Sequence, residues 1–190
     1  MTQDEVDLER RFSGVRRLYG EAGLARLQAA HVCVIGLGGV GSWAAEALAR
    51  NAVGHLTLID LDNIAESNVN RQLHALGDAF GQAKVAAMAA RIHLINPDCQ
   101  VRAIEDFVTP ENVAQLLEND SDAVFDAIDD ARAKVALATH CRLRLVGLRD
   151  GCVRHDCRSE HIGHVGQHRL NGGKAGHDIQ AAFNSGRLHS

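Results

Sequence analysis

Short apolar runs alternate with segments of helical periodicity through the middle of the chain. The runs are rich in β-branched residues and have the length of buried strands, whereas the segments between them place apolar residues at helical spacing. This pattern predicts strands at residues 32–35, 55–59, 99–104 and 123–128, and helices at residues 42–51, 81–95 and 131–141, with a further helix starting at Thr109 and Pro110. Regular strand–helix alternation indicates an α/β, Rossmann-like fold, in which a mostly parallel sheet carries helices on both faces.

Both ends of the chain depart from this alternation. Two short helical patterns, at residues 4–12 and 20–30, precede the first strand and are joined through "SGVRRLYG". Residues 142–148 could form a fifth strand, but the sequence after them is rich in Gly, His and Arg and has no sustained periodicity. The expected organisation is therefore an N-terminal helical segment (1–30), an α/β domain (31–141) and an atypical, poorly structured tail (142–190).

Composition places the chain among cytoplasmic globular proteins. Of its 190 residues 46% are apolar, enough for one domain with a sizeable core. No run approaches the roughly 20 apolar residues of a membrane span, and the acidic N-terminus lacks the apolar region of a secretory signal. The five cysteines form no CxxC pair, which favours a reducing compartment over a disulfide framework.

The charge is distributed unevenly along the chain. Residues 1–141 hold 12 Lys and Arg against 20 Asp and Glu, whereas residues 142–190 hold 8 against 4. A basic block of this kind is typical either of a nucleic-acid contact or of sequence that does not fold.

A glycine-rich turn, "GLGGVG", lies between the first predicted strand and helix. Gly36, Gly38 and Gly41 fit the pattern G-x-G-x-x-G, and Asp60 follows at about the spacing of the acid that binds ribose hydroxyls. The glycines permit a tight turn and close approach of backbone N–H groups, and the following helix N-terminus favours an anion. This motif alone is compatible with any adenine nucleotide.

Three charged residues that follow the predicted strands favour ATP over a dinucleotide as the ligand of this turn. Arg71 and Lys84 follow the second predicted strand, and Asp129 ends the fourth. Two cations suit β- and γ-phosphate oxygens, and a carboxylate suits Mg²⁺. Each residue alone has an ordinary structural interpretation, a solvated charge or a helix N-cap, but their joint position at one sheet edge favours ATP with a metal.

Several segments resemble a known family. "GLGGVGSWAAEALAR", "LIDLDNIAESNVNRQ", "GQAK" and "FDAID" resemble the adenylating domain shared by MoeB, ThiF and the ubiquitin-activating enzymes. "RFSGVRRLYG", "NRQLHAL" and "INPDCQVRAIEDFVTPENV" resemble the tRNA threonylcarbamoyladenosine dehydratase branch of that superfamily, over about residues 8–141. The resemblance implies a homodimer that binds ATP and Mg²⁺ and adenylates the threonylcarbamoyl carboxylate on an adenosine beside the tRNA anticodon. The activated group then closes a ring with loss of water.

The resemblance also implies a set of site residues. Gly39 and its neighbours would contact the nucleotide phosphates, and Asp129 would help bind the metal. Arg17 matches an arginine that reaches into the partner subunit's ATP site, with Arg16 as a rival. The remaining residues implied in nucleotide binding are Gly36, Gly38, Gly41, Asp60, Asp62, Asn68, Arg71 and Lys84.

The resemblance stops after Cys141, where the family continues with further sheet and a basic tRNA-binding region. We expect the segment from residue 142 to reflect a reading-frame shift or a truncated product. Its soft ligands have no standard zinc spacing, which favours a disordered or adventitious metal-binding tail; they are Cys152, Cys157, His161, His164 and His168. The other notable histidines and cysteines are interpreted as structural: His31, His55, His74, His93, Cys33, Cys99 and Cys141.

Three alternative functions stay open at this point. The first is adenylation of a sulfur-carrier protein, as in MoeB and ThiF, which would add a sulfur-relay partner. The second is an NAD-dependent oxidoreductase that uses the same glycine-rich turn. The third is an inactive nucleotide-binding remnant, which the atypical tail favours.

Overall fold

The computed structural model describes residues 6–117, 121–144 and 147–150. Five parallel strands form one sheet in the order β3-β2-β1-β4-β5; they are β1 His31–Ile35, β2 His55–Ile59, β3 Gln100–Ile104, β4 Ala123–Asp126 and β5 Gly147–Asp150. The described residues also form six α-helices: α1 Leu8–Arg11, α2 Ser13–Ala29, α3 Gly41–Arg50, α4 Lys84–Ile95, α5 Val113–Leu116 and α6 Ala131–Arg144. Two short 3-10 helices, Glu66–Asn68 and Gly77–Ala79, lie between β2 and α4. The α/β, Rossmann-like prediction is confirmed.

The strand order reverses at the carboxyl end of β1, the kind of position where parallel α/β sheets bind ligands. The chain runs outward from β1 to β3 and then crosses back to β4 on the other side of β1, so the helices that follow β1 and β4 lie on opposite faces of the sheet. Ile35 lies in register with Ile59 of β2 and Asp126 of β4. The residues that follow these three strands therefore lie side by side at one edge.

Helices cover both faces of the sheet, as predicted for parallel strands. Val32 and Val34 pack with α3 and α4 on one face, whereas Cys33 and Ile35 pack with α5 and α6 on the other. All four side chains are buried, so β1 is apolar on both faces. This explains why the sequence shows a continuous apolar run there and no alternation.

A buried carboxylate joins the two helices on the first face. Glu46 of α3 accepts hydrogen bonds from Arg50 at 2.7 Å and from Arg91 of α4. Burial raises the pKa of the Glu46 carboxyl, but the hydrogen bonds from Arg91 and Arg50 outweigh it, and the net pKa is lowered. Glu46 is therefore ionised and fixes α3 against α4.

Several element boundaries differ from the prediction. Residues 13–19, expected as a linker, are helical, and α2 is instead broken at Gly20, whose φ is +73°. The helix expected from residue 81 begins at Lys84, because Gly81 occupies a turn with φ of +84°. The helix expected from Thr109 is only the short α5; the Thr109 hydroxyl caps the turn that precedes it by accepting from the backbone N–H of Glu111 and Asn112, both at 3.3 Å.

Helical and strand structure continues beyond residue 141. Helix α6 ends at Arg144, and β5 pairs in parallel with β4 at residues 147–150, slightly later than the fifth strand suggested by the sequence. The expectations about a zinc site, a frame-shifted tail and poor structure in residues 151–190 lie outside the described residues. In the described ranges, no helix has both the length and the apolar character that a membrane span requires.

Candidate functional site

The glycine loop, residues 36–41, connects β1 to α3 by a turn that leaves no room for side chains at two positions. Gly36 has φ of +83°, and a Cβ atom there would lie 2.7 Å from the carbonyl oxygen of Ala127. A Cβ atom on Gly41 would lie 1.7 Å from the carbonyl oxygen of Gly36. The loop therefore folds back on itself against the segment after β4, and only glycine permits this path.

The middle of the glycine loop presents backbone donors. Within the described chain, the N–H groups of Gly38, Gly39 and Val40 donate no hydrogen bond, and no side chain caps α3. A Cβ atom on Gly38 would meet nothing within 4 Å, so the space beside it is open. Unpaired N–H groups at the start of a ten-residue helix fit an anionic group such as a phosphate.

Asp60, which follows β2, supports the glycine loop. One carboxylate oxygen accepts the N–H of Leu37 at 2.6 Å, and the other accepts the N–H of Asp62 at 2.8 Å. The side chain is 9% exposed. A carboxylate has about four acceptor sites, so this arrangement leaves acceptor capacity for hydroxyl donors. The contact with Leu37 was not anticipated, because it joins residues 23 positions apart.

Lys84, the first residue of α4, is a buried cation at the same edge. Its Nζ lies 2.7 Å from an oxygen of Asp62 and 3.7 Å from an oxygen of Asp60. The Lys84 side chain is 6% exposed, whereas that of Asp62 is 59% exposed. The ammonium is thus compensated by one buried and one solvent-exposed carboxylate.

Arg71 lies across the glycine loop. A Cβ atom on Gly39 would lie 3.2 Å from Cγ of Arg71, so the absence of a side chain at residue 39 lets the arginine stem approach the loop closely. The guanidinium donates to the carbonyl of Ser67 at 3.1 Å and to the side chain of Asn70 at 2.9 Å. The structure therefore brings Arg71 to the loop.

Asn68 has a local contact of its own. Its side-chain oxygen accepts the N–H of Ala65 at 3.0 Å, and its backbone carbonyl accepts from Arg71. It thus shapes the turn that carries Arg71, while its role in binding a nucleotide stays a prediction.

Asp129 lies in the turn between β4 and α6. The strand ends at Asp126, so Asp129 is exposed three residues beyond the strand end where it was expected. The helix N-cap interaction belongs to Asp130, which accepts the N–H of Ala133 at 2.7 Å. The turn lies beside the glycine loop, because Gly36 approaches Ala127 and Ile128.

Asp126 is a further charged residue at this edge, and the sequence pattern did not single it out. It is 2% exposed, accepts the N–H of Ile128 at 3.1 Å, and pairs with Lys134 of α6 at 2.9 Å. The available signal was a carboxylate within an otherwise apolar predicted strand, residues 123–128; in the folded chain the strand ends at this residue. Asp126 and Asp60 follow the same pattern, since each ends or follows a strand, accepts an N–H two residues later and pairs with a lysine of the next helix.

The two N-terminal arginines differ in their contacts. Arg16 lies 3.4 Å from Glu21 and 3.8 Å from Glu9. The Arg17 side chain is exposed and, in the described ranges, makes neither a hydrogen bond nor an ion pair.

His74 is buried near the charged side chains of Asp60, Lys84 and Arg91. It is 4% exposed, and neither ring nitrogen has a hydrogen-bond partner in the part of the chain that is described. Burial lowers the pKa of His74 to about 4; Lys84 and Arg91 act in the same direction, and Asp60 opposes them. The imidazole is therefore neutral at physiological pH.

No metal cluster is preformed in the described ranges: they hold no group of three or more His, Cys, Asp or Glu side chains that could bind a metal ion. Among the residues that the structure describes, three cysteines are buried: Cys33, Cys99 and Cys141. Burial raises the pKa of each thiol, to about 12 for Cys33 and about 11 for Cys99.

Comparison with known proteins identifies similar chains. The tRNA threonylcarbamoyladenosine dehydratase of Escherichia coli (strain K12) is 54% identical over 138 residues, which are 73% of this chain and 52% of that protein. The dehydratase of the same name from Bacillus subtilis (strain 168) is 46% identical over 137 residues, 72% of this chain and 54% of that protein. The chain thus spans about half the length of the curated relatives it matches.

A solved structure and a family model indicate the same similarity as these relatives. The crystal structure of the E. coli dehydratase in complex with ATP superposes with a TM-score of 0.73 at 52% identity, covering 75% of this chain and 58% of that one. The model of the ThiF family matches residues 11–158. With its parallel sheet, its glycine loop and this match over most of its length, the chain belongs to the ThiF family.

Proposed function

We propose that this chain is an ATP-dependent adenylating enzyme of the tRNA threonylcarbamoyladenosine dehydratase type. The observation that carries the proposal is the glycine loop, whose N–H groups at Gly38, Gly39 and Val40 have no acceptor within the described chain. Two cations flank this loop at the same sheet edge. The similarity to the E. coli dehydratase, which was solved with ATP, supports the choice of ligand.

The residues at this edge fit a nucleoside triphosphate. The open space beside Gly38 admits a phosphate to the backbone donors, and the acceptor capacity left on Asp60 suits ribose hydroxyls. Asp129 would help bind Mg²⁺, and Asn68 and Asp62 would border the nucleotide. When bound, ATP supplies an adenylyl group that activates a carboxylate, with pyrophosphate as the leaving group.

The chain's own groups would act by charge neutralisation and positioning. Lys84 is held by Asp60 and Asp62, and Arg71 by its contact with the loop, so both cations are fixed before a ligand arrives. Preorganised cations that stabilise the charge developing on a leaving pyrophosphate cost no reorganisation during the reaction. Adenylation needs no protein nucleophile, only alignment of the carboxylate with the α-phosphate.

A homodimer would complete this site. The Arg17 side chain is exposed and has no hydrogen bond or ion pair in the described ranges, so it could reach another subunit, whereas Arg16 is paired with glutamates of its own helices. This supports Arg17 as the arginine that would enter the partner's ATP site.

The substrate we propose is the threonylcarbamoyl carboxylate on tRNA, because the E. coli and B. subtilis relatives are both named tRNA threonylcarbamoyladenosine dehydratase. A tRNA substrate agrees with the cytoplasmic location expected from the sequence. A sulfur-relay partner stays a prediction.

The proposal is tested by ATP–pyrophosphate exchange in the presence of Mg²⁺ and modified tRNA. We expect Arg71→Ala and Asp129→Ala to abolish exchange while circular dichroism stays unchanged. Arg26→Ala and Asp78→Ala are matched controls at exposed positions and should exchange like the wild type. Retained exchange in Arg71→Ala or Asp129→Ala would remove that residue from the site.

The substrate is tested separately by mass spectrometry of tRNA nucleosides. Loss of one water from threonylcarbamoyladenosine, dependent on ATP, is the expected result. Exchange stimulated by a sulfur-carrier protein with a C-terminal Gly-Gly, and not by tRNA, would instead favour the MoeB-type function. Binding of ATP without either reaction would leave a nucleotide-binding remnant, and preference for NAD would refute the proposal.

A further inference from the structure

Two successive residues of α3 hold the segment that carries Arg71. The hydroxyl of Ser42 donates to the carbonyl of Gly38 at 2.7 Å and accepts the N–H of Leu73 at 3.3 Å. The indole N–H of Trp43 donates to the carbonyl of Arg71 at 3.0 Å. Both residues lie in the first turn of α3, directly after the glycine loop.

These contacts determine where the Arg71 backbone lies relative to the glycine loop. Trp43 holds the carbonyl of Arg71 itself, and Ser42 holds the N–H of Leu73 while it is tied to the loop through Gly38. The stem of Arg71 then lies on Gly39. The position of the Arg71 backbone relative to the loop is therefore fixed by the first turn of a helix, and this limits where the arginine's flexible stem can place the guanidinium.

The exposure of Ser42 and Trp43 is consistent with a role in holding the Arg71 segment. Ser42 is fully buried, so its hydroxyl would be costly there without partners, and it has both a donor and an acceptor contact. Trp43 is 56% exposed, so packing of its ring into the core does not explain why a tryptophan occupies this position. The specific interaction of its side chain in the described chain is the hydrogen bond from the indole N–H to the carbonyl of Arg71.

We propose that Ser42 and Trp43 are positioning residues that fix Arg71 over the glycine loop for triphosphate binding. This inference rests on the proposed function, since it gives Arg71 a triphosphate to bind. The two residues act through Arg71 and the loop and need not touch the nucleotide.

The chain offers a direct optical readout of this contact. Trp43 is the only tryptophan in the sequence, so intrinsic fluorescence reports on one indole whose N–H is bonded to Arg71. We expect addition of ATP and Mg²⁺ to change the intensity or the wavelength of Trp43 emission. In Arg71→Lys the change at saturating ATP should be smaller, because a lysine lacks the planar guanidinium that holds a phosphate through two donors.

The main experiment measures the ATP dissociation constant by calorimetry for the wild type, Trp43→Phe and Ser42→Ala. Trp43→Phe replaces the indole by a smaller aromatic ring that has no N–H, and Ser42→Ala removes the hydroxyl from a buried position. We expect a roughly threefold to tenfold weaker binding for Trp43→Phe and about tenfold for Ser42→Ala, as for the loss of one and two hydrogen bonds. Leu94→Ala, at an apolar residue that is 80% exposed and away from the loop, is the control and should bind like the wild type.

A double-mutant cycle separates positioning from a general loss of stability. In the Arg71→Lys background, Trp43→Phe should weaken binding much less than it does in the wild type, because its effect passes through Arg71. An equal, additive loss in both backgrounds would overturn the positioning role, and so would wild-type affinity in both single variants. If the wild-type chain binds no ATP, it is the proposed function that fails.

Discussion

Buried His74 predicts a specific dependence of stability on pH. Its two ring nitrogens have no partner in the described chain, and its pKa is lowered from 6.5 to about 4, chiefly by burial. Because the folded-state pKa lies below the unfolded value, the unfolded chain takes up the proton first as the pH falls. The contribution of His74 to stability is therefore constant above about pH 6.5 and becomes unfavourable as the pH falls toward 4.

The size of this effect follows from the shift of the His74 pKa. The difference between 6.5 and about 4 corresponds to about 3 kcal/mol over the whole window, since one pKa unit is worth about 1.4 kcal/mol. Between pH 7 and pH 5 the expected loss is about 2 kcal/mol. That is a large fraction of the stability of an ordinary domain.

The assay is urea denaturation of the wild type and His74→Leu at several pH values from 7 to 5. The wild type should lose about 2 kcal/mol relative to His74→Leu over this range, because the variant has no proton to bind at residue 74. At pH 7 we expect the variant to be as stable as the wild type or slightly more stable, since it removes two buried nitrogens without partners. His93→Gln removes an exposed histidine and should follow the wild-type profile. Parallel profiles for the wild type and His74→Leu would show that His74 does not take up a proton on unfolding in this pH range.

Three further outcomes follow from the packing. Gly38→Ala should leave the free energy of unfolding within about 0.5 kcal/mol of the wild type but weaken ATP binding. Gly41→Ala should destabilise the fold, because its Cβ would lie 1.7 Å from the Gly36 carbonyl oxygen. Denaturation and calorimetry on both variants check these outcomes. Glu46→Gln should lower the free energy of unfolding by about 1–3 kcal/mol at pH 7, because it removes the buried negative charge that pairs with Arg50 and Arg91. Wild-type stability of this variant in urea would contradict this expectation. Cys33 should stay unlabelled by iodoacetamide in the native protein, as read by peptide mass spectrometry, because burial raises its thiol pKa to about 12.

The central strands β1 and β2 could be predicted from the sequence because burial on both faces leaves a strong local signal. The predicted strand at residues 55–59 coincides with β2, and that at residues 32–35 with all but the first residue of β1. Helix ends were harder. Gly81 fits the helical pattern in the sequence, but its positive φ in the folded chain delays α4 to Lys84.

The candidate site was predictable in its location but not in its contacts. Strand order and register bring Gly36, Asp60 and the segment after β4 to one edge, as strand-end reasoning expects. The partnership of Asp60 with the loop and of Trp43 with Arg71 joins residues 23 and 28 positions apart. Such contacts depend on how the elements pack, which no local pattern in one sequence reports.

The two strands beside β1 explain how a loop with unpaired backbone donors can keep one conformation. On the β2 side, Asp60 accepts the N–H of Leu37 and lies near Lys84. On the β4 side, the turn after Asp126 is fixed by that residue's pairing with Lys134, and Gly36 packs against it. The glycine loop has few side chains of its own to hold it, so its rigidity must come from these neighbours. Their carboxylates accept from backbone N–H groups outside the centre of the loop and lie near lysines, which leaves the donors at the centre of the loop available for an anion.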